Sequence, residues 1–432
     1  VDSIASQTLK STGVPSATVA VVRNGRLAYA NAYGCAQLNP CVPATPDKRY
    51  AIGSISKQFT AVAVLLLQQD GKLSLDDPVS KFIPGLTRGN DVTVRMLLSH
   101  TSGYQDFWPQ DYVMPMMLKP TSVQAIANRW AKQPLDFEPG TRWQYSNTNY
   151  TLAGMVVEKA AGMPFFQFVK RRILDPVGLT SASDFDVNPR AATVTGYLRY
   201  GLGPLRPAPD AGAGWMWAAG ELAMTASDLA KWDIALINHQ LLSPASYREL
   251  FGEVRLKNGA GTGYSLGLDV AQQGLHFMIE HSGEVSGFTA ENIVYPEDSA
   301  AVVVLTNQDA APASGAIANQ ISQILFATSD PLADNRTAQA RAILEGLQKG
   351  TVDRSLFTSN ANAYFSDQAL QDFASSLSPL GAITGFTQTR RAERGGMVYR
   401  SYRAQFGNRA IRVWTYETPD GKLEQYQVAP IG

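Results

Sequence analysis

The chain has 432 residues, of which 45% are hydrophobic and 17% are charged, a balance typical of a well-packed globular protein. Its 37 basic and 37 acidic side chains give a formal net charge of zero with no basic block, which argues against a nucleic-acid partner. The longest apolar run, residues 61–67, is far shorter than the roughly 20 residues that cross a bilayer, so no membrane span is expected.

Residues 17–33 are predicted to form a β-hairpin near the start of the chain. Apolar residues alternate on both sides of Asn24-Gly25, a dipeptide that favours a tight two-residue turn. Cys35 and Cys41 follow in a segment rich in turn residues. Their closeness allows a small disulfide, and two free thiols are the alternative.

The compartment is indicated by two features of this region. A disulfide between the only two cysteines would favour an oxidising compartment. The first residue is Val1 rather than methionine, which fits removal of an export signal, although an expressed fragment would look the same. We therefore expect a periplasmic or secreted bacterial protein, and a cytoplasmic location stays open.

Ser54 and Lys57 lie three residues apart at the predicted start of a buried helix. The helix covers residues 58–69, because this stretch is apolar on nearly every face and Asp70-Gly71 ends it. Side chains at i and i+3 share a helix face, so the amine can take the serine proton if burial lowers the pKa of the lysine. The spacing occurs about once by chance in a chain of this length, so alone it indicates only a solvated serine and lysine.

Helices dominate the middle of the chain, and strands return after residue 264. We predict helices at 122–132, 150–161 and 226–237, strands at 264–270, 276–281, 290–295 and 301–305, and a closing helix at 311–326. Strands at both ends with helices between them indicate one α+β domain whose sheet is completed by its C-terminal part.

Residues 328–336 are predicted to be a linker, because Ser, Asp, Pro and Asn cluster there. Beyond it we predict helices at 337–347 and 367–376 and strands at 384–389, 397–405, 410–418 and 425–430. This pattern indicates a small accessory α+β domain at 337–432, of a size that can fold alone. Its element order resembles the nuclear-transport-factor-like folds. Capping the site, binding a partner and mediating oligomerisation are all open as its role.

Further motifs accompany the Ser54-x-x-Lys57 pair, and they are Tyr145-x-Asn147, His281-Ser282-Gly283 and the intervening stretch 97–103. In this order they resemble the serine β-lactamase and penicillin-binding-protein superfamily. The branch with Tyr-x-Asn holds D-Ala-D-Ala carboxypeptidases, D-aminopeptidases, class C β-lactamases and family VIII esterases. The resemblance covers residues 5–326 and implies a β-lactamase-like domain at 1–327, with an antiparallel sheet and an all-helical part.

The resemblance implies a catalytic role for three of these residues and a substrate-binding role for Asn147. Ser54 would attack a carbonyl carbon and become acylated, and Lys57 would receive or relay its proton. Tyr145 would be the partner acid or base, because a phenol beside an ammonium group can have its pKa lowered. Asn147 would accept from Lys57 and donate to the substrate amide. No cofactor and no metal are implied.

The third motif is implied to bind the substrate. His281, Ser282 and Gly283 would line the substrate-binding strand, and Gly283 would leave its edge open for a substrate that adds as a further strand. The oxyanion hole would be the backbone N–H groups of Ser54 and Glu284. β-Lactamases usually carry lysine where His281 stands, and a mostly neutral histidine would hold a substrate carboxylate less firmly.

Other interpretations compete for several residues. His100 is a candidate base of an ordinary Ser-His-Asp triad, although the resemblance places it in a supporting turn. Ser265 matches the Gly-x-Ser-x-Gly elbow of α/β-hydrolases, but the elbow needs a helix after the serine, and here the sequence predicts a continuing strand. Tyr145 could be a packed core tyrosine, and His281 could simply end a strand.

The sequence as a whole predicts a metal-independent serine hydrolase that acts through an acyl-enzyme on small amides or esters. The favoured substrate is a D-amino-acid peptide, as for a D-Ala-D-Ala carboxypeptidase or D-aminopeptidase. The alternatives are a family VIII-type carboxylesterase with weak or no β-lactamase activity and, from another class, a penicillin-binding sensor or pseudoenzyme. The expected partner is a small molecule or short peptide, and the oligomeric state is left open.

Overall fold

The computed structural model describes residues 1–110, 113–273, 276–326 and 332–431. The chain divides into two compact units, Val1–Phe326 and Ala327–Gly432. Each unit has its own hydrophobic core. Residues 328–331 of the predicted linker lie outside the described residues.

The described strands of the first unit are, in chain order, β1 (Ser16–Arg23), β2 (Arg26–Gln37), β3 (Val42–Pro43), β4 (Tyr50–Ala51), β5 (Ser183–Asp184), β6 (Tyr197–Leu198), β7 (Arg206–Pro207), β8 (Leu222–Met224), β9 (Asp269–Gln273), β10 (His276–Val285), β11 (Phe288–Tyr295) and β12 (Ala300–Thr306). Seven of these strands form an antiparallel sheet with the order β3-β2-β1-β12-β11-β10-β9. Because β1 pairs with β12, the last strands of the unit complete the sheet that the first strands begin, as predicted.

Helices cover both faces of this sheet. They are α1 (Asp2–Thr12), α2 (Ser56–Gln69), α3 (Val94–Leu98), α4 (Val123–Trp130), α5 (Asn147–Ala161), α6 (Phe165–Val169), α7 (Asp175–Val177), α8 (Trp217–Gly220), α9 (Ala226–Ile237), α10 (Pro244–Phe251) and α11 (Ala313–Leu325). Helices α1 and α11 pack together on one face, and the larger helical part lies against the other. The two faces of β1 serve the two cores in alternation, as the period of two of a strand requires.

Local sequence explains the elements that carry the site. Asn24 and Gly25 both have positive φ, at 52° and 68°, which fits the predicted tight turn of the β1–β2 hairpin. Helix α2 is buried from Ser56 to Leu67, so its all-round apolar composition places it in the core, as predicted.

The strand predicted at 264–270 is wrong over most of its length. Strand β9 begins only at Asp269, and the preceding residues form a tight turn in which the backbone N–H of Ser265 donates to the carbonyl of Leu268 at 2.8 Å. Gly263 and Gly267 have φ of 68° and 77°, a conformation that glycine adopts freely and that interrupts an extended strand. Because β9 follows this turn and no helix does, the nucleophile elbow is also excluded.

Cys35 and Cys41 form the disulfide that was one of the two predicted states. Their Cα atoms lie 5.3 Å apart, within the usual range for a disulfide, and the bond closes the turn between β2 and β3. Across the described ranges, the structure contains no helix that combines the length and the apolar character needed to cross a membrane.

The second unit combines helices with a four-stranded antiparallel sheet of order β13-β14-β15-β16. Its described elements are α12 (Ala333–Leu347), α13 (Ser359–Tyr364), α14 (Asp367–Leu377), β13 (Gly385–Arg394), β14 (Met397–Phe406), β15 (Arg409–Glu417) and β16 (Leu423–Pro430). Helix α12 starts four residues earlier than predicted, so residues 333–336 of the predicted linker are helical, with Asp334 in the first turn where a negative charge is favoured. Helix α13 was not predicted.

Candidate active site

Ser54 lies in a short 3-10 turn, Gly53–Ile55, that leads directly into α2. Gly53 has a φ of 52°, and a Cβ atom there would lie 2.9 Å from the backbone nitrogen of Glu284, so glycine lets the turn approach β10 closely. Lys57 lies in the first turn of α2 and is 0% exposed. The structure therefore places Ser54 just before the helix in which the sequence predicted it.

Lys57 has an acceptor for each of the three N–H bonds of an ammonium group. Its Nζ atom donates to Ser54 Oγ at 2.9 Å, to Asn147 Oδ1 at 2.9 Å and to the carbonyl oxygen of Ala219 at 2.8 Å. Nζ also lies 4.9 Å from the ring centre of Tyr145, a distance at which an aromatic face attracts a cation. These contacts oppose the cost of burying a charge.

Tyr145 reaches the same serine oxygen. Its hydroxyl donates to Ser54 Oγ at 2.7 Å. Helix α5 begins at Asn147, so the Tyr-x-Asn spacing brings both residues of this motif to the Ser54–Lys57 pair. The serine oxygen thus has an amine and a phenol within hydrogen-bond distance, and either group can exchange a proton with it.

Asp106 fixes the start of α5, and no sequence motif indicates it. Its Oδ1 atom accepts from the backbone N–H of Asn147 at 2.9 Å and from that of Trp108 at 3.1 Å, and Oδ2 accepts from Asn147 Nδ2 at 3.4 Å. Burial raises the pKa of Asp106, and the hydrogen bonds and the charge of Lys57 oppose this shift. Asp106 therefore holds the asparagine that holds the lysine.

His100 lies against Tyr145 rather than beside the serine. The two ring centres are 4.4 Å apart, and Nδ1 accepts from the backbone N–H of Ser146 at 3.2 Å. Nε2 has no hydrogen-bond partner within the part of the chain that the structure describes. Burial lowers the pKa of His100 well below its ordinary value, and the charges of Lys57 and His281 add to the effect. A neutral ring in this position supports the tyrosine and does not form the Ser-His-Asp triad.

His281 lies in β10, where the motif predicted it, and the fold encloses its side chain. Its side chain is 3% exposed, Nδ1–H donates to the carbonyl of Ser282 at 2.6 Å, and Nε2 accepts from the Tyr264 hydroxyl at 2.9 Å. Burial, reinforced by the charge of Lys57, lowers the pKa of His281 to about 3. Both ring nitrogens therefore have partners within the protein, and the substrate-binding role that the resemblance implies for His281 stays a prediction.

Ser282 and Gly283 follow His281 in β10, and their substrate-binding role stays a prediction. The exposed Ser282 lines a cleft shared with Glu291 and the first turn of α11, on the opposite face of β10 from His281. A Cβ atom at Gly283 would lie 1.9 Å from the carbonyl oxygen of Ile52. Glycine at this position therefore lets β10 contact the chain just before Ser54.

Ser54 and Glu284, the two residues expected to form the oxyanion hole, line one narrow pocket. The other residues around it are Phe107, Trp108, Asn147, Trp215, Met216, Ala219, Gly220 and Val285. Among these described residues Glu284 alone has an ionisable side chain, and its Oε1 atom accepts from the backbone N–H of Ala310 at 2.7 Å. The pocket beside the serine therefore contains no cationic side chain among its described lining residues.

The chain belongs to the β-lactamase family, because residues 1–324 match the family model described as Beta-lactamase. A Bacillus subtilis (strain 168) protein named as a penicillin-binding protein, PbpX, is 29% identical over 321 residues, which cover 72% of this chain and 75% of that protein. The resemblance stated from the sequence motifs is thereby confirmed, and the protein is a serine hydrolase of β-lactamase-like fold.

Solved structures extend the comparison to the fold. A D-stereospecific amidohydrolase from Streptomyces sp. has 27% identity and a TM-score of 0.64, covering 75% of this chain and 98% of its own. A structure described as the octameric penicillin-binding protein homologue from Pyrococcus abyssi has 22% identity and a TM-score of 0.67, covering 99% and 98%. The second likeness concerns the fold alone and spans both units of this chain.

Proposed function

We propose that the protein hydrolyses D-amino-acid amides or short D-peptides through an acyl-enzyme on Ser54. The observation that carries this proposal is the convergence of Lys57 Nζ and the Tyr145 hydroxyl on Ser54 Oγ, at 2.9 and 2.7 Å. With its ammonium group fixed by Asn147 and Ala219, Lys57 supplies a positive charge that favours the phenolate form of Tyr145. The phenolate then accepts the serine proton as the oxygen attacks the carbonyl carbon.

The remaining steps use the same groups. The backbone N–H groups of Ser54 and Glu284 are proposed to bind the oxyanion of the tetrahedral intermediate. Tyr145 returns its proton to the leaving amine, and the acyl group stays on the serine oxygen. A water molecule then loses a proton to Tyr145 and attacks the ester carbon. The bond between that carbon and Ser54 Oγ breaks, the acid is released, and Tyr145 returns the proton to Ser54 Oγ.

The pocket favours an amidase or aminopeptidase over a carboxypeptidase of the D-Ala-D-Ala type. A carboxypeptidase must hold the free carboxylate of its substrate, and the enclosed, neutral His281 does not offer a charge for it. No lysine, arginine or histidine is found among the described residues that line the pocket. The name of the Streptomyces relative, a D-stereospecific amidohydrolase, supports an amide substrate of D configuration.

The test compares the D and L isomers of one substrate and replaces each of two serines by alanine. D-alanine p-nitroanilide should be hydrolysed at least about tenfold faster than the L isomer, and Ser54→Ala should lower its turnover by about 1,000-fold or more. Ser265→Ala is the matched control, since Ser265 is a buried serine of the rejected elbow motif and should stay within about threefold of the wild type. Full activity in Ser54→Ala would contradict the proposal.

An esterase is the second candidate, because a pocket with no cationic side chain among its described lining residues suits an ester as well as an amide. Turnover of p-nitrophenyl butyrate without turnover of any D-amino-acid amide would favour it. A penicillin-binding sensor would instead show a lasting benzylpenicillin adduct on Ser54 and no turnover of either substrate.

We also propose a periplasmic or secreted location, supported by the bonded Cys35–Cys41 pair. Fractionation of the producing bacterium tests this proposal. Recovery of the protein in the cytosol with both thiols reduced would contradict it.

A further inference from the structure

The four-stranded sheet of the second unit has two faces of different character. Tyr402, Ala404, Val413 and Tyr426 belong to the hydrophobic core that this sheet shares with helices α12, α13 and α14. Side chains alternate along a strand, so the residues between these point to the opposite face. We call that face the outer face, and its side chains include Tyr399, Arg403, Arg412, Trp414, Tyr416 and Gln425. The described residues that lie in register on the outer face include no aspartate or glutamate.

Two arginines lie directly opposite each other on the outer face, Arg403 in β14 and Arg412 in β15. Both are exposed, and within the described ranges neither forms an ion pair. Arg403 Nη2 donates to Gln405 Oε1 at 3.4 Å, and Arg412 Nη2 donates to the Tyr399 hydroxyl at 2.6 Å, so both acceptors are uncharged. Like charges at directly opposite positions repel each other. An anion bound between them would remove this repulsion, and the fork of a guanidinium group fits a carboxylate.

Three aromatic rings lie beside these arginines. The guanidinium carbon of Arg412 is 5.3 Å from the ring centre of Trp414, and the ring centres of Tyr399 and Tyr416 are 5.1 Å apart. All three rings are partly exposed. Arg412, Trp414 and Tyr416 occupy every second position of β15, so they form a row about 13 Å long. A row of this length exceeds a single small anion and suits a ligand that is itself a chain.

The outer face has open space at the Tyr416 end of the row. A depression of about 570 Å³ is lined by Gly395, Met397, Tyr416, Glu424 and Gln425. Glu424 is the acidic residue among them, and its carboxylate accepts from Thr358 Oγ1 at 2.6 Å and from Asn360 Nδ2 at 3.1 Å. These two donors hold the carboxylate toward the start of α13. The depression therefore has room for a ligand group of ring size beside Tyr416.

The combination of rings and cations defines the chemistry of the ligand. A sugar ring has an apolar C–H face that packs on an aromatic ring, and a carboxylate on the sugar accepts from arginine. The amide of Gln425 can both donate to and accept from sugar hydroxyls. An acidic polypeptide would satisfy the arginines alone. A nucleic acid is disfavoured, because the chain has a formal net charge of zero and no basic block.

We propose that the outer face of the second unit binds an acidic polysaccharide, a chain of sugar rings that carry carboxylate groups. Arg403 and Arg412 bind the carboxylates, and Trp414 and Tyr416 pack against the sugar rings. This inference gives the accessory domain a binding role. It goes beyond the proposed function and does not depend on the chemistry at Ser54.

The test measures the affinity of the full chain for soluble polymers by isothermal titration calorimetry. Polygalacturonate offers sugar rings with carboxylates, dextran offers uncharged sugar rings, and poly-L-glutamate offers carboxylates without rings. Polygalacturonate should bind at least about tenfold more tightly than either of the other two, because it alone satisfies both the arginines and the aromatic rings. Equal affinity for poly-L-glutamate, or no binding of polygalacturonate, would overturn the inference. Tighter binding of single-stranded oligothymidylate would overturn it in favour of a nucleic acid.

Two variants place the binding on the outer face. Arg412→Ala should weaken polygalacturonate binding at least about tenfold, because charge-assisted hydrogen bonds are lost. Trp414→Ala should weaken it at least about fivefold, because the flat ring is lost. The matched control is Arg26→Ala, which removes an exposed arginine of β2 in the first unit and should stay within about twofold of the wild type. Unchanged affinity in either Arg412→Ala or Trp414→Ala would overturn the inference.

A further variant covers the case in which Trp414→Ala does not fold. Arg412→Lys keeps the positive charge and removes the planar fork that lies over Trp414. Affinity for polygalacturonate should fall at least about threefold in Arg412→Lys, and less than in Arg412→Ala. Wild-type affinity in Arg412→Lys would show that the face responds to net charge alone, which would contradict the inference.

Discussion

Lys57 and Glu221 are two buried ionisable side chains near helix α8, and among the described residues only the Lys57 side chain has hydrogen-bond partners. Lys57 donates to three acceptors, one of which is the carbonyl of Ala219. Glu221 follows two residues later and is 1% exposed, and neither of its carboxyl oxygens has a hydrogen-bond partner among the described residues. The difference teaches that burial alone does not decide whether a group stays charged. The partners decide it.

The electrostatic surroundings of Glu221 add to this contrast. Burial raises the pKa of its carboxyl group well above the ordinary value, and the nearby acidic groups of Asp184, Asp186 and Glu158 raise it further. Both effects therefore favour the neutral, protonated form of Glu221 in the folded protein. Lys57, by comparison, has its charge opposed by an oxygen at each N–H, which makes a buried charge available to Ser54.

The largest expected effect comes from replacing Lys57, the charged residue of the compared pair. Lys57→Met keeps a side chain of similar length but no amine, so kcat/KM should fall by about 1,000-fold or more, because the serine loses the group that supports proton transfer. The free energy of unfolding should change by no more than about 3 kcal/mol, since the unpaired Asn147 and Ala219 oxygens are offset by the removal of a buried charge.

The matched control is Lys72→Met, which changes an exposed lysine in the same way and should leave both quantities unaltered. Steady-state kinetics and urea unfolding are measured on both variants. A Lys57→Met protein with near wild-type kcat/KM would contradict the role given to this amine.

A smaller effect is expected from replacing Glu221, the uncharged residue of the compared pair. The folded-state pKa of Glu221 is raised, so between its unfolded and folded pKa values the unfolded chain releases this proton and the folded protein keeps it. Stability should therefore fall as pH rises through that window, by up to about 1.4 kcal/mol per pH unit from this group. Glu221→Gln removes the titration, so the variant should lose less stability than the wild type as the pH is raised from 5 to 8.

The measurement is urea unfolding at several pH values, with the exposed Asp76→Asn as the control. The control should keep the slope of the wild type. Parallel stability curves for the wild type and Glu221→Gln would show that Glu221 ionises normally, which would break the contrast with Lys57.

Much of the fold could be predicted because the relevant signals are local. The Asn24-Gly25 turn and the all-round apolar stretch of α2 depend on neighbouring residues only. The strand predicted at 264–270 failed for a reason that is also local, since Gly263 and Gly267 at a spacing of four indicate a turn as readily as a strand. The two glycines argue against a strand at 264–270 in spite of the alternating apolar pattern.

The site could be predicted only where a motif names its residues. Ser54, Lys57, Tyr145 and Asn147 come together as the motifs indicate. No sequence pattern indicates Asp106, because its partner Asn147 is 41 residues away and a hydrogen bond from a backbone N–H group requires no particular residue type.

His281 shows the other limit of motif reasoning. The His-x-Gly pattern is found where it was expected in β10, but the state of the ring depends on Tyr264 and on enclosure by the fold. Burial and long-range partners, which decide protonation, are properties of the packed structure and not of the spacing.

The most direct test of the account is labelling with a fluorophosphonate, a reagent that reacts with activated serine hydroxyls, followed by peptide mass spectrometry. The account predicts one adduct per chain, on Ser54, which is lost in Ser54→Ala and strongly reduced in Lys57→Met. An adduct on another serine such as Ser265, or labelling of Ser54 that does not depend on Lys57, would contradict the claim that the buried lysine activates this serine.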